Sequence, residues 1–225
     1  MATFVLVPGA GGGTWFWHRL LPELETRGHV GIPVDLPTAD ESAGQAEYAD
    51  VIVAAARDRG PIVLVAQSMG AYSAPLACDR LDVTALVLLN PMVPAPGESP
   101  GEYWGNTGQQ QAAAENAASL GIPPEFDVIR TFFHDVPEDV TAYAMSQGEP
   151  QQADKPFEQP WPMQEWPSVP IHVLAGRDDR LFPLAFQQRV VKERLGVTAD
   201  DMPGGHLSAL SQPVVLADRL VAYLH

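Results

Sequence analysis

The stretch Ile62-Val63-Leu64-Val65-Ala66-Gln67-Ser68-Met69-Gly70 decides the fold. Four consecutive aliphatic residues read as a strand buried on both faces, because such a strand has no polar side to alternate with. The run ends in a variant of Gly-x-Ser-x-Gly in which Ala66 replaces the first glycine. Small residues around a serine permit a sharp strand-to-helix turn that lifts the hydroxyl out at the carboxyl end of a sheet. The serine then stands at a helix N-terminus, where the macrodipole favours developing negative charge. A helix N-cap serine after a strand accounts for the same letters. Ser68 therefore becomes a candidate nucleophile only in the company of a base and an orienting acid. Pro75 removes an intrahelical bond, so the helix after Ser68 is expected to be bent or short.

Similar runs lie on both sides. Phe4-Val5-Leu6-Val7 stops at Pro8-Gly9, Val30 to Val34 stops at Asp35-Leu36-Pro37, and Ala85-Leu86-Val87-Leu88-Leu89 stops at Asn90-Pro91. Helical patterns separate them, over Trp15 to Arg27 and Ala43 to Arg59. After a long interruption come Ile171-His172-Val173-Leu174-Ala175, a helix over Leu184 to Leu195, a short strand over Val197 to Met202 and a closing helix over Pro213 to Leu224. Buried strands alternating with helices predict an α/β fold, a mostly parallel sheet of about six strands with helices on both faces. The interruption, residues 91–168, is rich in Pro, Gln and Gly and carries Trp104, Trp161 and Trp166. Helical patterns appear in it at Asn106–Leu120, Pro124–Phe133 and Pro137–Ser146, and a structureless loop of that length is foreign to a compact domain. The expected organisation is a core of residues 1–90 and 169–225 with a helical cap, 91–168, inserted in it. Cap aromatics are expected to wall a pocket or to pack, and Trp15 and Trp17 to lie in the core.

Each strand end contributes a candidate. His206 follows the last strand in Met202-Pro203-Gly204-Gly205-His206-Leu207 and is the candidate base. The acid is Asp178 or Asp179 in Gly176-Arg177-Asp178-Asp179-Arg180-Leu181-Phe182-Pro183; the other is expected to be a solvated turn residue, paired with Arg177 or Arg180. His18, His29, His134, His172 and His225 read as surface, strand-packed or terminal, and Asp35 as turn-forming. Pro8-Gly9-Ala10-Gly11-Gly12-Gly13 follows the first strand, and its glycines bring backbone N–H groups close to a ligand. Proline has no N–H, so the oxyanion donors expected are the N–H groups of Ala10 and of Met69, just after the nucleophile. Gly9-x-Gly11 followed by Asp35 also resembles a dinucleotide fingerprint. The third glycine position of that fingerprint falls on Thr14, and the reading leaves Ser68, Asp179 and His206 unexplained.

Composition narrows the ligand. The 225 residues include 13 Lys+Arg and 28 Asp+Glu, a formal net charge of -15, with 46% hydrophobic residues. That apolar content excludes a disordered chain. The shortage of cations argues against nucleic-acid binding and against a polybasic membrane patch, and no apolar run approaches the roughly 18 residues of a membrane span. Cys78 is the single cysteine, so no intrachain disulfide can form, and the first residues lack a basic signal-peptide region; both fit a cytoplasmic protein. An acidic field repels anions, which leaves a neutral or cationic small molecule as the expected partner.

These residues resemble the α/β-hydrolase superfamily and, more narrowly, the plant methylesterase and hydroxynitrile lyase group with its bacterial relatives. The resemblance covers most of the chain. It is carried by Val5 to Leu20, by Ala66-Gln67-Ser68-Met69-Gly70, by Gly176-Arg177-Asp178-Asp179-Arg180-Leu181-Phe182-Pro183, by Gly204-Gly205-His206-Leu207, and by Thr131 to Val140 in the cap. The order Ser68, Asp, His206 is that superfamily's order. The resemblance selects Asp179, three residues after Gly176, as the acid, and Ala10 as an oxyanion donor. It implies ester hydrolysis through an acyl-enzyme on Ser68, without metal or organic cofactor, on a small neutral ester. The alternatives are a lyase or carbon–carbon bond hydrolase on the same triad, or a non-enzymatic ligand receptor. There are departures from the group's pattern. Pro8 stands for a histidine and Gln67 for the histidine before the nucleophile. Leu207 stands where hydroxynitrile lyases carry a lysine, and small residues replace their threonine near the oxyanion loop. The last two count against cyanohydrin cleavage.

Overall fold

Six strands build the molecule: β1 (Thr3–Val7), β2 (Val30–Pro33), β3 (Ile62–Gln67), β4 (Val83–Leu89), β5 (Ile171–Gly176) and β6 (Asp200–Met202). In this computed structural model, which describes every residue except Pro124 and His225, they lie in the order β2-β1-β3-β4-β5-β6. Every pairing is parallel. The buried runs of the sequence thus form one sheet whose carboxyl ends share an edge. Successive side chains of a strand point to opposite faces, and the sheet accordingly feeds two cores. Val5, Leu64, Leu86 and Val173 enter one, while Phe4, Val63, Val87 and Leu174 enter the other.

Helices cover both faces. They are α1 (Leu20–Thr26), α2 (Gln45–Ala56), α3 (Gly70–Ser73), then α4 (Pro100–Thr107), α5 (Gln109–Leu120), α6 (Val128–Phe132), α7 (Glu138–Ser146) and α8 (Lys155–Glu158), and finally α9 (Leu184–Leu195), α10 (Ser208–Ser211) and α11 (Pro213–Ala222). Leu20 and Leu24 of α1 pack with Leu216 and Leu220 of α11 on one face. Tyr48 and Ile52 of α2 and Phe186 and Val190 of α9 fill the other. α4 to α8 occupy the chain between β4 and β5, where the sequence suggests a helical insertion. Part of that segment is anchored in the core: Tyr103 and Trp161 are buried with the sheet residues, and the Trp161 indole N–H donates to the Tyr72 carbonyl at 3.1 Å.

Several boundaries differ from expectation for local reasons. The pattern over Trp15 to Arg27 is a 3₁₀ turn, Thr14–Trp17, followed by the separate α1. The pattern Asn106–Leu120 is two helices, because Gly108 takes φ +68 between α4 and α5. α4 starts earlier than read, on a capping box in which the Ser99 N–H donates to the Glu102 carboxylate at 2.9 Å. Pro124, expected to begin the next helix, lies outside the described residues, as does His225. α6 begins instead at Val128, where the Asp127 side chain accepts the Arg130 N–H at 2.6 Å. The last strand is only Asp200–Met202, short of the expected start at Val197. As Pro75 suggests, α3 is a single turn and continues as a 3₁₀ helix over Ala74–Arg80. Cys78 sits in that 3₁₀ helix, and burial pushes its thiol up to about 12.

Candidate active site

The chain leaves β3 through a strained turn. Ser68 has φ +52, a left-handed conformation that costs a non-glycine residue about 1–2 kcal/mol. Three backbone bonds hold it: the Ser68 N–H donates to the Leu89 carbonyl, and the Ala71 and Met92 N–H groups donate to the Ser68 carbonyl. Gly70 is dictated by β1, since a Cβ there would lie 2.8 Å from the Pro8 carbonyl oxygen. The turn leaves Ser68 Oγ 3.1 Å from His206 Nε2.

His206 is fixed on every side. Its Nδ1 lies 2.7 Å from Asp179 Oδ2, and the other Asp179 oxygen accepts the N–H groups of Leu181 at 2.8 Å and Phe182 at 2.9 Å. Asp179 is 1% exposed and His206 2%, so this carboxylate is committed to the imidazole. The His206 ring meets Phe132 and Phe182 edge-on, at centroid distances of 5.4 and 5.2 Å. Asn90, fully buried at the end of β4 with φ +45, donates to the carbonyls of Gly205 and His206 and accepts the Gly176 N–H. It thereby ties the ends of β4 and β5 to the histidine loop. Asp135, between α6 and α7, accepts the Gly205 N–H at 2.7 Å.

The expected residues Ser68, His206 and Asp179 therefore form one chain of contacts, with His206 between the other two. Asp178 is an exposed turn residue, but it does not pair with Arg177 or Arg180. Its carboxylate accepts the Gly204 N–H at 3.0 Å, while Arg177 pairs with Asp201 and Arg180 donates to the Arg130 carbonyl. Asp35 is exposed, in the turn after β2. Of the remaining histidines, His18 is exposed, His29 accepts the Ala2 N–H and His172 stacks on Tyr223. His134 differs from its expected ordinary place: it is largely buried against Gly205, beside the histidine loop.

The glycine loop closes against protein. The Gly9 N–H donates to Gln67 Oε1 and the Gly11 N–H to Gln152 Oε1, both at 2.9 Å. A Cβ on Gly11 would meet Pro150 at 2.7 Å. The Gly9 and Gly11 N–H groups are thus taken by side chains of the protein itself, unlike the free amides of a dinucleotide fingerprint. The Ala10 and Met69 N–H groups donate to no described backbone group, and both residues line a cavity of about 840 Å³ together with Ser68 and His206. Its wall includes Trp104, Phe132, Phe133 and Tyr143 from the segment between β4 and β5. Trp15, expected in the core, lines this cavity as well and packs on Tyr143 at 5.4 Å, whereas Trp17 is fully buried in the core. Among the described residues no Lys or Arg lines the cavity, and no group of three or more His, Cys, Asp or Glu is placed to hold a metal ion.

A parallel sheet with a serine, a histidine and an aspartate in contact at its carboxyl edge is the architecture of a hydrolase fold. The alpha/beta hydrolase family model matches residues 4–219, and the chain belongs to that family. It is 36% identical to a probable esterase, PIR7A, of rice (Oryza sativa subsp. indica) over 110 residues, 44% of this chain. That match spans 42% of the rice protein's length, less than half of it. It is 25% identical to polyneuridine aldehyde esterase of Rauvolfia serpentina over 242 residues, covering 93% of this chain and 90% of that one. Among solved structures, a pyrethroid hydrolase from Sphingobium faniae JZ-2 superimposes with a TM-score of 0.75 at 24% identity, over 99% of this chain and 96% of the other. No described helix is long and apolar enough to cross a membrane.

Proposed function

We propose that the protein is a serine hydrolase of neutral carboxylic esters. Ser68 Oγ attacks the ester carbonyl carbon while His206 Nε2 takes its proton. Asp179 keeps the imidazole in the required tautomer and stabilises the imidazolium. The negative charge on the former carbonyl oxygen is met by the N–H groups of Ala10 and Met69; losing one such donor costs about 2.7–4 kcal/mol of transition-state stabilisation. The tetrahedral species collapses, His206 returns the proton to the leaving alcohol, and the acyl group stays on Ser68. Water then attacks the acyl-enzyme with His206 again as base, releasing the acid and the free serine. The helical segment, residues 91–168, acts as a cap that walls the cavity.

The continuous Ser68–His206–Asp179 chain of contacts carries this reading. The esterase names of the rice and Rauvolfia relatives support the ester as substrate. The apolar cavity without cations and the formal charge of -15 favour a neutral ester. The test is a hydrolysis screen over aryl, methyl and lactone esters with a fluorophosphonate probe. Wild type should turn over and take up one label, and Ser68→Ala should lose both. Turnover retained in Ser68→Ala would sink the acyl-enzyme.

A further inference from the structure

We infer that Gln152, which belongs to the cap, is a positioning residue for the oxyanion donor Ala10; the inference rests on the esterase reading of Ser68. Gly9 to Gly12 form a turn, closed by the Gly12 N–H on the Gly9 carbonyl at 3.1 Å. Gly11, its third residue, has φ +63, and Ala10 is not among the positive-φ residues; this combination defines a type II turn. Type I and type II turns differ by a flip of the central peptide, here the one joining Ala10 to Gly11. The N–H of that peptide is the group held by Gln152 Oε1.

The turn is thus fixed at three places. Gln67 holds the Gly9 N–H from the core side, the Gly12 bond holds the peptide that carries the Ala10 N–H, and Gln152 holds the central peptide from the cap. A peptide is planar, so these restraints leave Ala10 little freedom in φ or ψ. Gln152 is itself oriented: its Nε2 donates to the Tyr48 hydroxyl at 3.2 Å and to the Ala153 carbonyl at 3.0 Å. The next residue anchors this segment to the core, the Ala153 N–H donating to the Thr38 carbonyl at 2.7 Å. Pro150 packs on the other side of Gly11. Glycine at position 11 lets the loop reach type II geometry, but it also lets the peptide flip once Gln152 is gone. This part of the cap thereby restrains the loop that carries the Ala10 N–H.

The experiment measures kcat and KM on a neutral aryl ester, with the rate of inactivation by a fluorophosphonate, whose phosphoryl oxygen enters the oxyanion position. Gln152→Leu should lower kcat and the inactivation rate together by about 10-fold, less than the 10²–10³-fold of losing a donor outright, with KM within about twofold. Gln152→Ser, too short to reach Gly11, should behave like Gln152→Leu, and reads the same loss if leucine disturbs folding. A rise in KM at unchanged kcat, or wild-type kcat and inactivation rate in the Leu and Ser variants, overturns the inference while the wild-type activity upholds the esterase reading. A wild-type chain that neither turns over nor labels overturns that reading, and the inference with it.

Discussion

Ser68 sits in a conformation its side chain disfavours, and the strain can be measured apart from catalysis. Glycine has no Cβ to crowd the left-handed region, so Ser68→Gly should be more stable than Ser68→Ala by about 1 kcal/mol, although neither can turn over. Urea unfolding of the two variants checks this; a Ser68→Gly variant less stable than Ser68→Ala, as glycine's unfolded-state entropy alone would make it, would mean that the turn is unstrained. Ser68 and His206 stood out in the sequence because each follows a strand, and parallel strands bring their ends to one edge; strand position left Asp178 and Asp179 both open, and the family resemblance selected Asp179. Asn90 and Asp135 did not stand out. Their partners are backbone groups of the histidine loop, and no local pattern marks a side chain whose role is to hold a distant N–H or C=O. Gln67 stood out only as a departure from the family's histidine; its contact with the Gly9 N–H explains the polar side chain there.

At the scale of elements, the segment between β4 and β5 is joined to α9 by a buried ion pair. Arg194 bonds both Glu98 oxygens and the Val93 carbonyl, and Asn106 donates to Glu98 at 2.9 Å. Burial raises the Glu98 carboxyl, but the bonds from Arg194 and Asn106 outweigh it and the net shift is downward. Removing one partner of a buried pair leaves a charge uncompensated, so Arg194→Met should cost roughly 3–5 kcal/mol in urea unfolding. A depressed carboxyl stabilises the fold fully above its unfolded value of about 4.3, and that contribution is lost as pH falls through the lower folded value. Wild type should therefore lose part of its advantage over Glu98→Gln on acidification below pH 4. The strands and their mostly parallel pairing were readable from sequence, whereas their spatial order and the helix limits between β4 and β5 were not. Gly108 breaks one apparent helix in two, and Ser99 with Glu102, a legible capping signal, sets a start that apolar spacing alone missed.

For the whole molecule, the charge of -15 and the cation-free cavity act in the same direction. An ester bearing a remote carboxylate should show a lower kcat/KM than its neutral isostere at low salt. The gap should narrow as ionic strength rises and the Debye length shrinks to about 10 Å at 0.1 M. A salt-independent ratio would place the discrimination in cavity shape instead. Cys78 opens a different use of the molecule. Its thiol is buried and pushed up to about 12, so maleimides at neutral pH have almost no thiolate to attack. A cysteine introduced at an exposed position, such as Ser146 in α7, would then be the one reactive thiol without any need to mutate the native residue. A fluorophore attached there would report the surroundings of α7 against an otherwise unlabelled background.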